Sequence, residues 1–189
     1  MEYEIGLTHR RGDFTFRISP YFNRIYNYIN HIGRYGGCTE NLVYNLDSVD
    51  IYGVELEINR SLLANLNGYF NYTYQRYSVE TGNIQPQDTW YLSQLLPKNK
   101  VNLGLRYRPW KDTLFMFNLR YVDARESMYN YPMDSFVTVN LGFEQDLYIF
   151  DQHLKLKGWI DNLFDEDYEE RYHYPMPDRT LGMSLKYIF

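Results

Sequence analysis

The chain has 189 residues and a formal net charge of −5, enough for one domain and the wrong sign for a partner whose phosphates must be neutralised, so no nucleic acid is expected. Aromatic side chains reach 19%, with 21 tyrosines, although the mean hydropathy of −0.55 is that of an ordinary soluble protein. The longest apolar runs, 114–117 and 147–150, fall far short of the roughly 20 residues of a membrane helix; no signal-peptide pattern follows Met1, and a lone Cys38 excludes an internal disulfide or a multi-cysteine metal site.

Period-two alternation predicts nine strands. The first places Tyr3, Ile5 and Leu7 on one face. In the second, Phe14, Phe16, Ile18, Pro20 and Phe22 oppose Thr15, Arg17, Ser19, Tyr21 and Asn23. Tyr52, Val54, Leu56 and Ile58 oppose Gly53, Glu55, Glu57 and Asn59 in the third, and a fourth covers 66–74. Val101, Leu103, Leu105 and Tyr107 alternate with Asn102, Gly104, Arg106 and Arg108, and a sixth strand follows over 115–121. Val137, Val139, Leu141 and Phe143 oppose Thr138, Asn140, Gly142 and Glu144, and an eighth covers 154–160. The ninth is the most regular: Leu181, Met183, Leu185, Tyr187 and Phe189 oppose Thr180, Gly182, Ser184 and Lys186.

Connections alternate in length. Those near 10–13, 60–65, 109–112 and 149–152 are short, whereas 24–49, 78–99, 124–135 and 162–178 are long, aromatic and polar. That rhythm is an up-and-down antiparallel meander with one plain and one elaborated end, the pattern of outer-membrane barrels. Lipid on one face and water on the other explains the low hydropathy, because only half of each strand is apolar, and tyrosines suit headgroup depth. A soluble antiparallel sandwich also alternates but gives no reason for the loop asymmetry. The expected fold is therefore all-β, a transmembrane barrel wall. Within it, Gly6 and Gly53 on inward faces leave room for a plug or for steep coiling, and Asn162 and Asp165 suit Asx-type turns.

The C-terminal part is distinctive. Asp161-Asn162-Leu163-Phe164-Asp165-Glu166-Asp167-Tyr168-Glu169, then Tyr172-His173-Tyr174-Pro175-Met176-Pro177-Asp178-Arg179-Thr180 and a last strand closing on Phe189, resembles the C-terminal signature of TonB-dependent outer-membrane receptors. The residues that match its pattern are Asn162, Leu163, Phe164, Asp165, Tyr168, Pro175, Arg179 and Phe189; Asp178 stands where the family usually has glycine. Tyr3-Glu4-Ile5-Gly6-Leu7, Tyr52-Gly53-Val54-Glu55-Leu56-Glu57 and Pro97-Lys98-Asn99-Lys100-Val101-Asn102-Leu103 resemble further strands of that family, in its order.

The resemblance implies a barrel of about 22 strands in the bacterial outer membrane. It also implies an N-terminal plug that contacts the TonB energy-transducing complex, and import of a scarce, bulky nutrient. Nothing in 1–189 matches a plug, and nine strands is an odd count, so the whole chain is expected to be a C-terminal barrel segment. The implied ligands are a small-molecule metal chelate (an iron-siderophore or haem) or cobalamin. Candidate contacts are the loop aromatics Tyr35, Trp90, Tyr91, Tyr129, Tyr131, Tyr172 and Tyr174. The lumen residues Arg106, Arg108 and Arg120 join them, placed to attract an anion or to pair with Glu55, Glu57 and Glu144.

Other chemistry is set aside. The acidic stretch from Asp161 to Glu170 has Leu163 and Glu166 where a calcium loop needs an acidic ligand and glycine. Loop residues His31 and His173 lack a supporting set for an axial haem ligand, and no nucleophile elbow, phosphate loop or zinc spacing is present. No cofactor, resident metal or enzyme activity is expected. The competing class is an interaction module, either a small adhesin-like outer-membrane barrel or a soluble carbohydrate-binding sandwich.

Overall fold

Strands of this kind satisfy their backbone only by pairing with neighbours, and in the computed structural model they do so in one large sheet. The structure describes residues 1–32, 42–80, 96–126, 132–150 and 152–188. Among them the strands, in chain order, are β1 (Glu2–Glu4), β2 (Leu7–Arg11), β3 (Phe14–Ile32), β4 (Leu42–Leu63), β5 (Leu66–Glu80), β6 (Asn99–Trp110), β7 (Thr113–Val122), β8 (Arg125–Glu126), β9 (Pro132–Met133), β10 (Phe136–Ile149), β11 (Gln152–Asp161), β12 (Glu169–Arg171), β13 (Tyr174–Pro175) and β14 (Thr180–Ile188). The sheet runs β1-β3-β4-β5-β6-β7-β10-β11-β14, with β2 also on β3, and every pairing is antiparallel. Each predicted strand lies in this sheet, the first divided into β1 and β2 around Gly6.

Directly paired residues share a face, so the register sorts the whole wall. One row reads Phe16, Ile58, Phe70, Leu103, Leu119, Val139, and the next Ile18, Leu56, Tyr72, Val101, Tyr121, Val137. The opposite face reads Arg17, Glu57, Asn71, Asn102, Arg120, Thr138. The apolar face is left uncovered: Phe115 is 44% exposed, Leu181 71% and Met183 75%. A soluble sandwich would bury these side chains under a second sheet. A barrel wall turns them to hydrocarbon, and the sandwich alternative is thereby overturned. From Phe14 to Phe22 the apolar stripe spans eight steps of about 3.3 Å, or about 20 Å of height at a tilt of about 40°, close to the roughly 25 Å apolar band of outer-membrane barrels.

Above that band the pattern inverts. On the outer register Arg24 and Asp50 succeed Phe22 and Tyr52, while on the inner register Ile25, Val49 and Ile51 succeed Asn23 and Gly53. Leu46 and Val49 are fully buried there against Tyr28, Ile51, Tyr77, Val79 and Leu96. The same change occurs on β7 and β10, where Val122 and Phe136 are buried on the inner register. Once a strand enters water its outward side must be polar, and its apolar side chains can only turn inward.

This inversion corrects the expected loop over 24–49, since residues 24–32 and 42–49 continue β3 and β4. The connections expected over 124–135 and 162–178 hold the small ribbons β8–β9 and β12–β13. Nor does Gly53 leave room for another domain. An added Cβ would lie 2.1 Å from the Tyr74 carbonyl oxygen and 2.9 Å from the Tyr21 hydroxyl, so the sheet's own atoms fill the site. Gly104 is a second close approach: its cross-strand partner Tyr69 lays its ring where a Cβ would sit, 2.0 Å away.

Candidate functional site

The segment between β11 and β14 folds over the polar face of the wall, anchored by the motif after β11. Asn162 is 4% exposed and left-handed (φ 52°), a conformation asparagine tolerates better than most residues. Its backbone amide donates to Asn140 Oδ1 (2.9 Å), its Nδ2 to the Glu166 carbonyl (2.8 Å), and its Oδ1 accepts from the Glu166 amide (2.9 Å). The Leu163 amide donates to the Val139 carbonyl at 2.8 Å. The expected Asx turn is thus a wider clasp, from residue 162 to residue 166.

Asp165 does something else than expected. It closes no turn of its own; its carboxylate accepts from the Arg179 amide (2.7 Å) and, at 3.3 Å, from the Arg179 guanidinium, tying the loop to the root of β14. The Arg179 backbone amide, and then its guanidinium, hold the Asp165 carboxyl below the usual carboxylate range. Further out, buried Arg125 donates to the carbonyls of Glu169 (2.8 Å) and Glu170 (3.0 Å), while Arg120 pairs with the Glu170 carboxylate. Phe136 packs on Tyr168 with centroids 4.4 Å apart, and both arginines lie over its ring at 5.6 and 5.9 Å. Burial, reinforced by the Arg120 charge and opposed by Glu170, lowers the Arg125 pKa; burial and Glu170 raise that of Tyr168.

Between this cover and the wall lies a cavity of about 560 Å³. Asn102, Asn118, Thr138, Asn140 and, at the root of β14, Thr180 line it from the strands, and Tyr168, Met176 and Pro177 from the cover side. The Tyr69 hydroxyl, also at its edge, donates to Asn118 Oδ1 at 2.9 Å. The size is that of a small-molecule cleft. Its groups are mainly amides and hydroxyls; Arg120, the one cation among its described lining residues, already has a carboxylate partner, and the carboxylates of Asp161 and Asp178 also line it, so the cavity suits hydrogen bonding to a polar surface that is not itself anionic.

Of the sequence candidates, Arg120, Asn162 and Tyr168 line this cavity. Tyr172 and Tyr174 sit instead at the β12–β13 ribbon, where Tyr172 packs on His173 (3.9 Å) and Arg171 lies over Tyr174 (5.0 Å). Leu163 is half-buried; Phe164 and Pro175 are exposed. Arg106 and Arg108 lie at the short-turn end and line a second inner pocket of about 410 Å³ with Trp110 and Lys111. The expected pairing of lumen arginines with Glu55, Glu57 and Glu144 is not found among the described residues. Glu144 takes Lys157 (2.6 Å) and Lys155 (3.7 Å), and Arg106 and Arg108 have no ion pair there. The cause is register: Glu144 stands opposite Lys157 on the adjacent strand and two strands from the column that carries Arg106. Tyr35, Trp90, Tyr91, Tyr129, Tyr131 and Phe189 lie outside the described residues. Asn102, Asn118 and Asn140 were missed as candidates; their signal is a shared inner register on three consecutive strands, visible once the strands are aligned.

An antiparallel meander that is apolar without and polar within, with short turns at one end and a folded cover at the other, is the wall of a transmembrane β-barrel. A family model described as TonB dependent receptor-like, beta-barrel, matches residues 2–163, and the chain belongs to that family, which resides in the bacterial outer membrane. Its fold is similar to that of the copper transporter OprC, at 18% identity and a TM-score of 0.77, covering 97% of this chain and 30% of that one. It is also similar to the FrpB iron transporter from Neisseria meningitidis (15%, TM-score 0.76, 98% and 31%) and to the ferric-catecholate import receptor Fiu from K12 E. coli (17%, TM-score 0.71, 97% and 27%). The chain spans about 30% of the length of these structures.

Proposed function

We propose that residues 1–189 form the C-terminal segment of a TonB-dependent receptor barrel whose whole protein imports a scarce, bulky nutrient across the outer membrane. A plug within the lumen and the TonB complex supply the gating and the energy. The observation that carries the reading is the pair of faces on one sheet, an uncovered apolar face for lipid and a polar one lined by the 560 Å³ cavity. Edges support the segment reading: among the described residues β14 pairs only with β11, and β1 and β2 only with β3, and hydrocarbon does not tolerate unmet backbone groups. Further strands of the same barrel would satisfy them.

Among ligand classes an iron chelate leads, with haem and cobalamin behind it, because two of the similar structures above are described as iron or ferric-catecholate transporters. Arg106 and Arg108, free of ion pairs among the described residues, would favour an anionic chelate passing towards the short-turn end. The role is transport and binding rather than catalysis. Deleting the gene that encodes the chain and following uptake of radiolabelled ferric chelates in iron-starved cells tests this. Loss of uptake, restored by the intact gene only while the proton gradient holds, is the expected result; unchanged uptake of ferric chelates, haem and cobalamin alike would refute it.

A further inference from the structure

The cavity beneath the cover has a lining more specific than a solvated lumen wall requires. Thr138 is only 6% exposed and lines the cavity, yet its hydroxyl has no hydrogen-bond partner among the described residues. The amides around it are oriented. Asn140 Oδ1 accepts from the Asn162 backbone amide and Asn118 Oδ1 from the Tyr69 hydroxyl, both at 2.9 Å. Each side chain therefore keeps its Nδ2 as a donor without a protein partner among the described residues. Asn118 and Asn140 are directly paired across β7 and β10, and Asn102, Arg120 and Thr138 form the adjacent inner row. On the far side Asp161 is paired with Thr180, and the carboxylates of Asp161 and Asp178 make no ion pair among the described residues. Asp178 is also a departure of this chain from the glycine usual in the family it resembles.

We propose that this cavity binds a neutral, hydroxyl-rich ring, a sugar unit, carried by the imported ligand. A sugar hydroxyl both donates and accepts. Here donor amides and acceptor carboxylates stand on neighbouring strands about 4.8 Å apart, so a single ring meets both kinds of partner. The Thr138 hydroxyl, withdrawn from bulk water, is completed by a ligand hydroxyl. Tyr69 and Tyr168 add flat apolar surface for the C–H face of the ring. Charge sets aside the main competitor. With Arg120 neutralised by Glu170, Asp161 and Asp178 leave the lining net negative, which repels an anionic chelate and leaves a neutral polyol unaffected. The assignment rests on the transport reading and narrows it: the ligand presents sugar to this wall, and any anionic, metal-bearing part of it faces away.

The test titrates the full-length receptor, purified in a detergent without a sugar headgroup, with glucose, galactose, mannose and maltotriose, read by saturation-transfer NMR. Glucuronate serves as the anionic control. At least one of the four neutral sugars should bind the wild type, and more tightly than glucuronate. Thr138→Val, close to isosteric, should weaken that binding about fivefold, the effect of one lost hydrogen bond. Asp178→Asn should weaken it about tenfold, as a charged acceptor is lost, yet improve glucuronate binding severalfold because one repelling charge is gone. A folding defect cannot produce that gain, so the site stays testable even if Thr138→Val folds poorly. Binding of none of the four sugars, as when a plug fills the cavity, wild-type affinity in Thr138→Val, or a wild-type preference for glucuronate would each overturn the assignment. Uptake lost on gene deletion while no sugar binds would overturn the sugar site alone; sugar binding with unchanged uptake would overturn the transport reading alone.

Discussion

Replacing Asn162 by alanine should open the cover while leaving the wall intact. The side chain makes two good hydrogen bonds to Glu166, at 2.8 and 2.9 Å, each contributing about 1 kcal/mol net. Its third contact, to the Pro177 carbonyl at 3.5 Å, is too long to add much. The left-handed backbone (φ 52°) costs alanine about 1 kcal/mol more than asparagine. Together the change removes about 3 kcal/mol from the local closing equilibrium, roughly a hundredfold in amide protection. Glycine at 162 restores the backbone share, less its extra freedom in the open state, and should be milder by somewhat under 1 kcal/mol. Aspartate keeps the acceptor for the Glu166 amide and tolerates the same φ, so it should cost only about 1 kcal/mol. Hydrogen exchange followed by mass spectrometry on the receptor in detergent, read at Leu163, Asp165 and Glu166, checks the series. The expected order of loss is alanine, glycine, aspartate; unchanged protection at Glu166 in all three variants would show that Asn162 does not hold the cover.

Three other outcomes follow from the same geometry. Leu103→Arg puts a charge mid-strand on the lipid face and should cost about 2–4 kcal/mol in urea unfolding from vesicles, whereas Asn59→Arg on the inner face should cost much less; equal costs would refute the assignment of faces. Gly104→Ala forces a Cβ to 2.0 Å from the Tyr69 ring and should cost about 1–3 kcal/mol by overpacking. Adding Tyr69→Ala should recover part of that loss, and strict additivity would count against the close contact. Asp165 has a depressed folded-state pKa, so its contribution is complete above the unfolded carboxylate value near 4 and disappears as pH falls through the lower folded value. Protection of the 162–179 segment should therefore fall at acid pH in the wild type, and Asp165→Asn should flatten that part of the profile.

The membrane-spanning wall was legible because one physical demand governs it. Val101, Leu103, Leu105 and Tyr107 face hydrocarbon without a break, and so period two stands out. The outward extension of β3 and β4 was not legible, because at Arg24 the apolar side chains change sides. Ile25, Val49 and Ile51 then fall on what had been the polar register, and a scan for one constant face reads the stretch as loop. The cover shows the same divide. Asn162 announced itself through its motif, but the reach from Asp165 to Arg179 spans the ribbon and exists only in three dimensions. Asn102, Asn118 and Asn140 looked like any solvated strand residues until the register aligned them.

That divide also explains where the few buried apolar residues lie. Within the band the wall needs no protein core, since lipid itself removes Phe70, Leu103 and Leu119 from water. Apart from Val139 on the lipid-facing row, burial of apolar side chains by protein among the described residues falls where strands or loops have left the lipid: Leu46 and Val49 on the β3–β4 extension, and Val122, Met133 and Phe136 at and beyond the outer ends of β7 and β10. Cohesion of the two regions therefore has different sources. Detergent or lipid that matches the band should govern the wall, whereas the cover depends on Asn162, Arg125 and the Phe136–Tyr168 contact, which are indifferent to lipid. A loop that can open without disturbing the wall beneath it is what a binding surface at the outer mouth of a barrel requires.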